Sequence, residues 1–132
     1  MKKYVLDSWA ILCFLHKEKA YKKVKEVLEL ASQGKVSLFI SVINLAEVYY
    51  KLIRKVGQKE AIKTVSALKK IPIEAVSATD DLVFKMAEIK ADFAISMADC
   101  FAVAVALDKK AVILTGDPEF KKVKKVVEIE WL

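Results

Sequence analysis

Five short β-prone runs recur along this chain: KYVL at 3–6, VSLFI at 36–40, IPIEAV at 71–76, AVILT at 111–115 and VVEIEWL at 126–132. Helical patterns fill the first three gaps between them. SWAILCFL follows the first run, and residues 20–33 place Val24, Val27, Leu28 and Ala31 at helical spacing before a stop at Gly34. Helix-like residues 42–56, then Gly57 and a further helix to about residue 69, fill the second gap. The third holds a helix opening at Ser77 to Thr79 and another over 97–109. Strands separated by one or two helices cannot close hairpins and need crossovers, which places helices on the faces of a parallel sheet. The expected class is therefore α/β, a parallel sheet between helices with right-handed crossovers, and VVEIEWL is its edge-like last strand.

Composition narrows what such a chain does. Its 132 residues suit one domain, and 55% hydrophobic content excludes a disordered segment. No apolar run approaches the roughly 18 residues of a membrane span. The start, MKKYVLDSW, is broken by Asp7 and does not read as a signal peptide, so a cytoplasmic protein without a membrane partner is expected. Cys13 and Cys100 both lie in apolar helical surroundings and read as reduced core residues. A single histidine, His16, excludes a His-rich metal site and disfavours a His-based triad. The net charge of +6 suits an anionic partner such as nucleic acid; solvated Lys-rich helix faces explain it equally well.

In open parallel sheets the functional crevice lies beyond the carboxyl ends of the strands. Four acids fall where they can reach it: Asp7 ends the first run, Glu47 lies in SVINLAEVYY, Asp99 in SMADCFAVAVA and Asp117 in TGDPEF. Ordinary structural roles compete for each. Asp7 before Ser8 suits a helix N-cap, and Asp117 before Pro118 suits a turn. Ser96-Met97-Ala98-Asp99 is an S-x-x-D capping box in which Asp99 would reach back to the Ser96 N–H. Glu47 fits no cap, although Lys51 stands at i+4. Ser41, Asn44 and Glu47 recur every third residue as a polar stripe on an otherwise apolar helix, and Asn44 and Ser96 each stand three residues before an acid they could orient.

Four carboxylates brought together repel, and one takes up a proton unless a cation lies between them. Oxygen ligands without His or Cys select Mg²⁺, with Mn²⁺ as a substitute, and a phosphate ester is the natural substrate of such a site.

The ordered set YVLDSWAIL, SVINLAEV, SMADCFAVAVA and ILTGDPEF resembles the PIN domain family, in particular VapC-type ribonuclease toxins of toxin–antitoxin pairs. The resemblance covers residues 1–132 as one domain. It implies a three-layer α/β/α sandwich with a short central parallel sheet and a Mg²⁺-dependent endoribonuclease site made by Asp7, Glu47, Asp99 and Asp117. Asp7 and Asp99 would be direct ligands, with Glu47 and Asp117 completing the site directly or through water. Ser8, Asn44 and Thr115 fall at supporting positions. It further implies an RNA substrate, a homodimer and a cognate antitoxin. Two other readings stay open: an RNA-processing PIN nuclease that is not a toxin, and a PIN-fold module that binds RNA or protein without cutting. A P-loop NTPase is excluded because G-x-x-x-x-G-K-[ST] is absent.

Several neighbours have simpler expectations. Trp9 and Phe14 suit packing better than contact with bases or an antitoxin. One of Tyr49 and Tyr50 should face the core and the other a dimer partner. The pairs Lys121-Lys122 and Lys124-Lys125 read as a solvated surface before they read as an RNA contact.

Overall fold

Asp7 stands where an apolar strand gives way to a helix, and its carboxylate decides the change. β1 (Lys2–Leu6) ends at it, and its Oδ1 accepts the Ala10 N–H at 2.9 Å, capping α1 (Ser8–Leu15). In the computed structural model, which describes Met1–Leu132, the same grammar recurs along the chain. α2 (Tyr21–Ser32) leads into β2 (Val36–Ser41), whose last residue caps α3 (Val42–Val56) by accepting the Ile43 N–H at 3.1 Å. Gly57, at φ +85°, takes a conformation open mainly to glycine and separates α3 from α4 (Gln58–Leu68). β3 (Ile73–Val76) follows, then α5 (Asp80–Asp92) capped by Thr79, α6 (Met97–Lys109) capped by Ser96, and β4 (Val112–Thr115). A 3₁₀ turn (Pro118–Val123) connects to β5 (Ile129–Trp131).

All five expected strands form, and all pair in parallel in the order β3-β2-β1-β4-β5. Three are shorter than their sequence runs, β4 by the single residue Ala111. β3 begins after Pro72, which has no N–H for the ladder. The residues before β5 turn inward so that Val123 and Val127 enter the core.

The chain lays β1, β2 and β3 outward in one direction, then returns to the other side of β1 for β4 and β5. β1 alternates accordingly: Tyr4 and Leu6 join the core beneath α1–α4, while Val5 joins the core beneath α5 and α6. The three-layer sandwich follows from that split. α6 is apolar nearly all round, and Cys100 to Ala106 are buried because the helix lies between α5 and the sheet. Cys13 and Cys100 are buried free thiols, and burial raises the pKa of each, which keeps them protonated. Truncating fully buried Leu6 or Leu114 to Ala is expected to cost about 2–5 kcal/mol each. Packing therefore anchors the strand ends that carry the polar residues described next.

Candidate metal centre

Where the direction of strand addition reverses, between β1 and β4, the connections leaving the two strands diverge and open a crevice at their carboxyl ends. Asp7 follows β1 directly and Asp117 follows β4 after Gly116. The first turn of α6 delivers Asp99 to the same place. One carboxylate oxygen from each of Asp7, Asp99 and Asp117 lies within 4.8 Å of the others.

Each acid is held by its local structure. Asp7 is 1% exposed; Oδ1 caps α1, and Oδ2 accepts the Thr115 hydroxyl at 2.7 Å. Thr115 is itself fully buried, and its Oγ1 also accepts the Asp117 N–H at 3.0 Å. Asp117 then accepts the Glu119 N–H at 3.0 Å, capping the 3₁₀ turn. Asp99 donates its backbone N–H to Ser96 Oγ at 3.1 Å. The other half of the expected capping box does not form. The Asp99 carboxylate turns to the acid group instead of returning to the Ser96 N–H.

Glu47 stands beside this group, outside the set of three. Its Oε1 accepts the Ser8 hydroxyl at 2.5 Å and its Oε2 meets Lys51 Nζ at 3.4 Å. Asn44, expected to orient Glu47, does something else. Its Nδ2 donates to the Ala98 carbonyl at 3.3 Å, tying α3 to the start of α6, while its Oδ1 is buried without a partner. Ser8, not Asn44, donates the hydrogen bond to Glu47.

Electrostatics mark the cluster as short of positive charge. Burial pushes the Asp7 carboxyl up to about 7; the Thr115 and Ala10 hydrogen bonds pull it down, and the Asp99 and Asp117 charges add to the rise. Burial likewise pushes Asp99 up to about 6, against its hydrogen bond to Ser96 and with the charges of Asp117, Glu47 and Glu119. The nearby cation, Lys51, is engaged with Glu47. Such a group takes up protons or a cation. An all-oxygen donor set, one acid fully buried and two reaching a cleft, fits a hard divalent ion.

The cleft beside the acids measures about 430 Å³ and is lined by residues of α1 together with His16, Glu18, Glu47, Lys51, Ser96, Asp99 and Asp117. Trp9 borders it, whereas Phe14 packs against the core, so the two aromatics of α1 part ways. Tyr49 faces the core; Tyr50 is exposed, with Arg54 4.9 Å from its ring centre. Lys122 meets the Ala94 carbonyl and Glu119. Gly116 does more than precede the Asp117-Pro118 turn. A Cβ there would lie 2.6 and 2.7 Å from Cζ3 and Cζ2 of Trp9, and closer still to Cη2. Nothing in TGDP announces that long-range contact.

The profile of the PIN domain matches residues 4–126. The chain belongs to the PIN domain family. This PIN domain shares its fold with VapBC2 from Rickettsia felis, solved bound to a promoter DNA fragment, at 17% identity and a TM-score of 0.76 over 98% of each chain. VapBC-1 from nontypeable Haemophilus influenzae is similar at 18% identity and a TM-score of 0.73, over 98% of this chain and 97% of that one. So is VapC20 from Mycobacterium tuberculosis, a toxin that cleaves the sarcin–ricin loop, at 17% identity and a TM-score of 0.72, over 91% and 94% of the two chains. No curated protein matches the sequence. None of the helices is long and apolar enough to cross a membrane.

Proposed function

We propose that this PIN domain is a Mg²⁺-dependent endoribonuclease that hydrolyses RNA phosphodiester bonds, and that it is the toxin of a toxin–antitoxin pair. One observation carries the reading: Asp7, Asp99 and Asp117 present carboxylate oxygens within 4.8 Å of one another, and Asp99 and Asp117 line an open cleft. Those three hold the cation, with Mn²⁺ as a substitute for Mg²⁺. Bound there, a divalent ion supplies Lewis acidity toward a phosphodiester and its attacking water.

The protein's own groups do the remaining work. Thr115 fixes Asp7 and the Asp117 backbone together, so the two sides of the crevice keep one spacing. Ser8 and Lys51 hold the Glu47 carboxylate at the cleft wall, where it completes the acidic site. The excess of 23 Lys and Arg over 17 Asp and Glu draws a polyanion toward a locally negative pocket. A cognate antitoxin belongs to the same proposal, supported by the likeness to the VapBC structures, and a homodimer is proposed with it. The cytoplasm is the expected site of action.

The test is incubation of the purified chain with pooled cellular RNA and with single-stranded DNA, in Mg²⁺, in Mn²⁺ and in EDTA. Cutting of RNA with either metal and none in EDTA is expected. RNA left intact under every condition, by a folded protein that binds it, would contradict catalysis and favour a binding module.

A further inference from the structure

We infer that Trp9 is a base-stacking platform for an unpaired RNA nucleotide beside the phosphate to be cut. The inference rests on the ribonuclease reading and assigns the part of the substrate that the acids do not hold.

Trp9 is the largest side chain on α1, yet it belongs to neither hydrophobic core. It lines the cleft with Leu12, Cys13 and His16, at the i, i+3, i+4, i+7 spacing of a single helix face. The same cleft carries Glu47, Asp99 and Asp117. The cleft thus brings an aromatic ring beside an anionic group suited to a cation. A nucleotide has the same two halves, a flat base and a phosphate.

The ring is fixed against the acids by backbone. It follows Asp7 by two residues, and its six-membered rim rests on Gly116, the residue between Thr115 and Asp117. Only a residue without Cβ leaves room for that contact. The indole N–H donates to no group in the chain and is not sealed from solvent, so it is free for a substrate acceptor. Bases inside a duplex already stack on their neighbours, so an aromatic platform selects nucleotides in single strands, loops or bulges.

The test compares two labelled probes, a short single-stranded RNA of mixed sequence and an abasic oligomer of the same length. Affinities are read by anisotropy in EDTA at low salt, alongside Mg²⁺-dependent cutting and Mg²⁺ affinity by calorimetry. Trp9→Leu is expected to weaken RNA binding about 10- to 100-fold while leaving abasic binding and Mg²⁺ affinity unchanged. Trp9→Phe keeps a ring and should stay within about threefold of the wild type. Gly116→Ala displaces the ring without removing it and should reproduce the base-dependent loss, which covers the case of a Trp9→Leu chain that does not fold. Equal losses for both probes, or none, would overturn the platform while metal-dependent cutting kept the nuclease reading intact. Base-dependent loss with no cutting in any metal would keep the platform and remove the nuclease.

Discussion

The Thr115 hydroxyl donates to Asp7 Oδ2 at 2.7 Å, across 108 positions of chain, joining the ends of two adjacent parallel strands. Thr115 is buried at 0% exposure and also receives the Asp117 N–H, so one side chain sets the positions of two acids. Thr115→Val keeps the shape and removes both bonds. It is expected to lower stability by about 1–3 kcal/mol, because a buried carboxylate oxygen loses its donor. It should also weaken Mg²⁺ binding and cutting, whereas Thr115→Ser retains most of each. Urea unfolding in EDTA and Mg²⁺ titration of the two variants check this.

Metal-free stability should fall as pH rises. Asp7 has an ordinary carboxyl pKa near 3.8 when unfolded and about 7 when folded, so the folded state binds the extra proton over that interval. Stability contributed by that proton is fully present below about 4 and is lost as pH climbs through about 7. At about 1.4 kcal/mol per pKa unit the loss amounts to roughly 3–5 kcal/mol for this buried group. Asp99 adds a smaller slope in the same direction, screened by its partial exposure. Asp7→Asn should flatten the slope and make the metal-free protein more stable than the wild type at pH 8, while abolishing Mg²⁺ binding. Urea midpoints from pH 4 to 8 in EDTA measure it.

Mg²⁺ should remove that pH penalty and release protons as it binds. Ligand carboxylates must ionise, so affinity is expected to rise between pH 5.5 and 7.5 and to level off above the range set by Asp7 and Asp99. Calorimetry in two buffers of different ionisation enthalpy counts the protons. Affinity independent of pH would place the metal away from these acids.

The acids should not be equal. Asp99 lies in the group of three with no ion-pair partner; Glu47 stands outside it, bonded to Ser8 and Lys51. Asp99→Asn is therefore expected to abolish measurable Mg²⁺ binding. Glu47→Gln should weaken it about 10- to 100-fold, the usual effect of a group acting through its neighbours. Side-by-side titration of the two variants decides the ranking.

How much of this was readable in the sequence depends on how local each cause is. The strands, the helices and the caps Asp7, Ser41, Thr79 and Ser96 are written in short patterns, and the order of elements then fixes a parallel sheet. Asp7 and Asp117 were visible because each stands where a strand ends. The Lys51 contact with Glu47 was visible as an i,i+4 pair. Contacts across the fold were not. Asn44 stands three residues before Glu47 but reaches Ala98, and Ser8 reaches Glu47 from another helix, 39 positions away. The Ser96 box looked reciprocal and is one-sided, since the Asp99 carboxylate lies with those of Asp7 and Asp117 and not at the Ser96 N–H. Trp9 read as packing because spacing alone cannot tell a core-facing from a cleft-facing stripe on a short apolar helix.

The most direct test of the central claim is RNA cleavage by wild type and by Asp99→Asn in Mg²⁺ and in EDTA, after both chains are shown to be folded with comparable stability. The wild type is expected to cut only with metal, and Asp99→Asn under neither condition. Cutting by Asp99→Asn at the wild-type rate would contradict it, and would leave Asp99 as part of the helix start and nothing more.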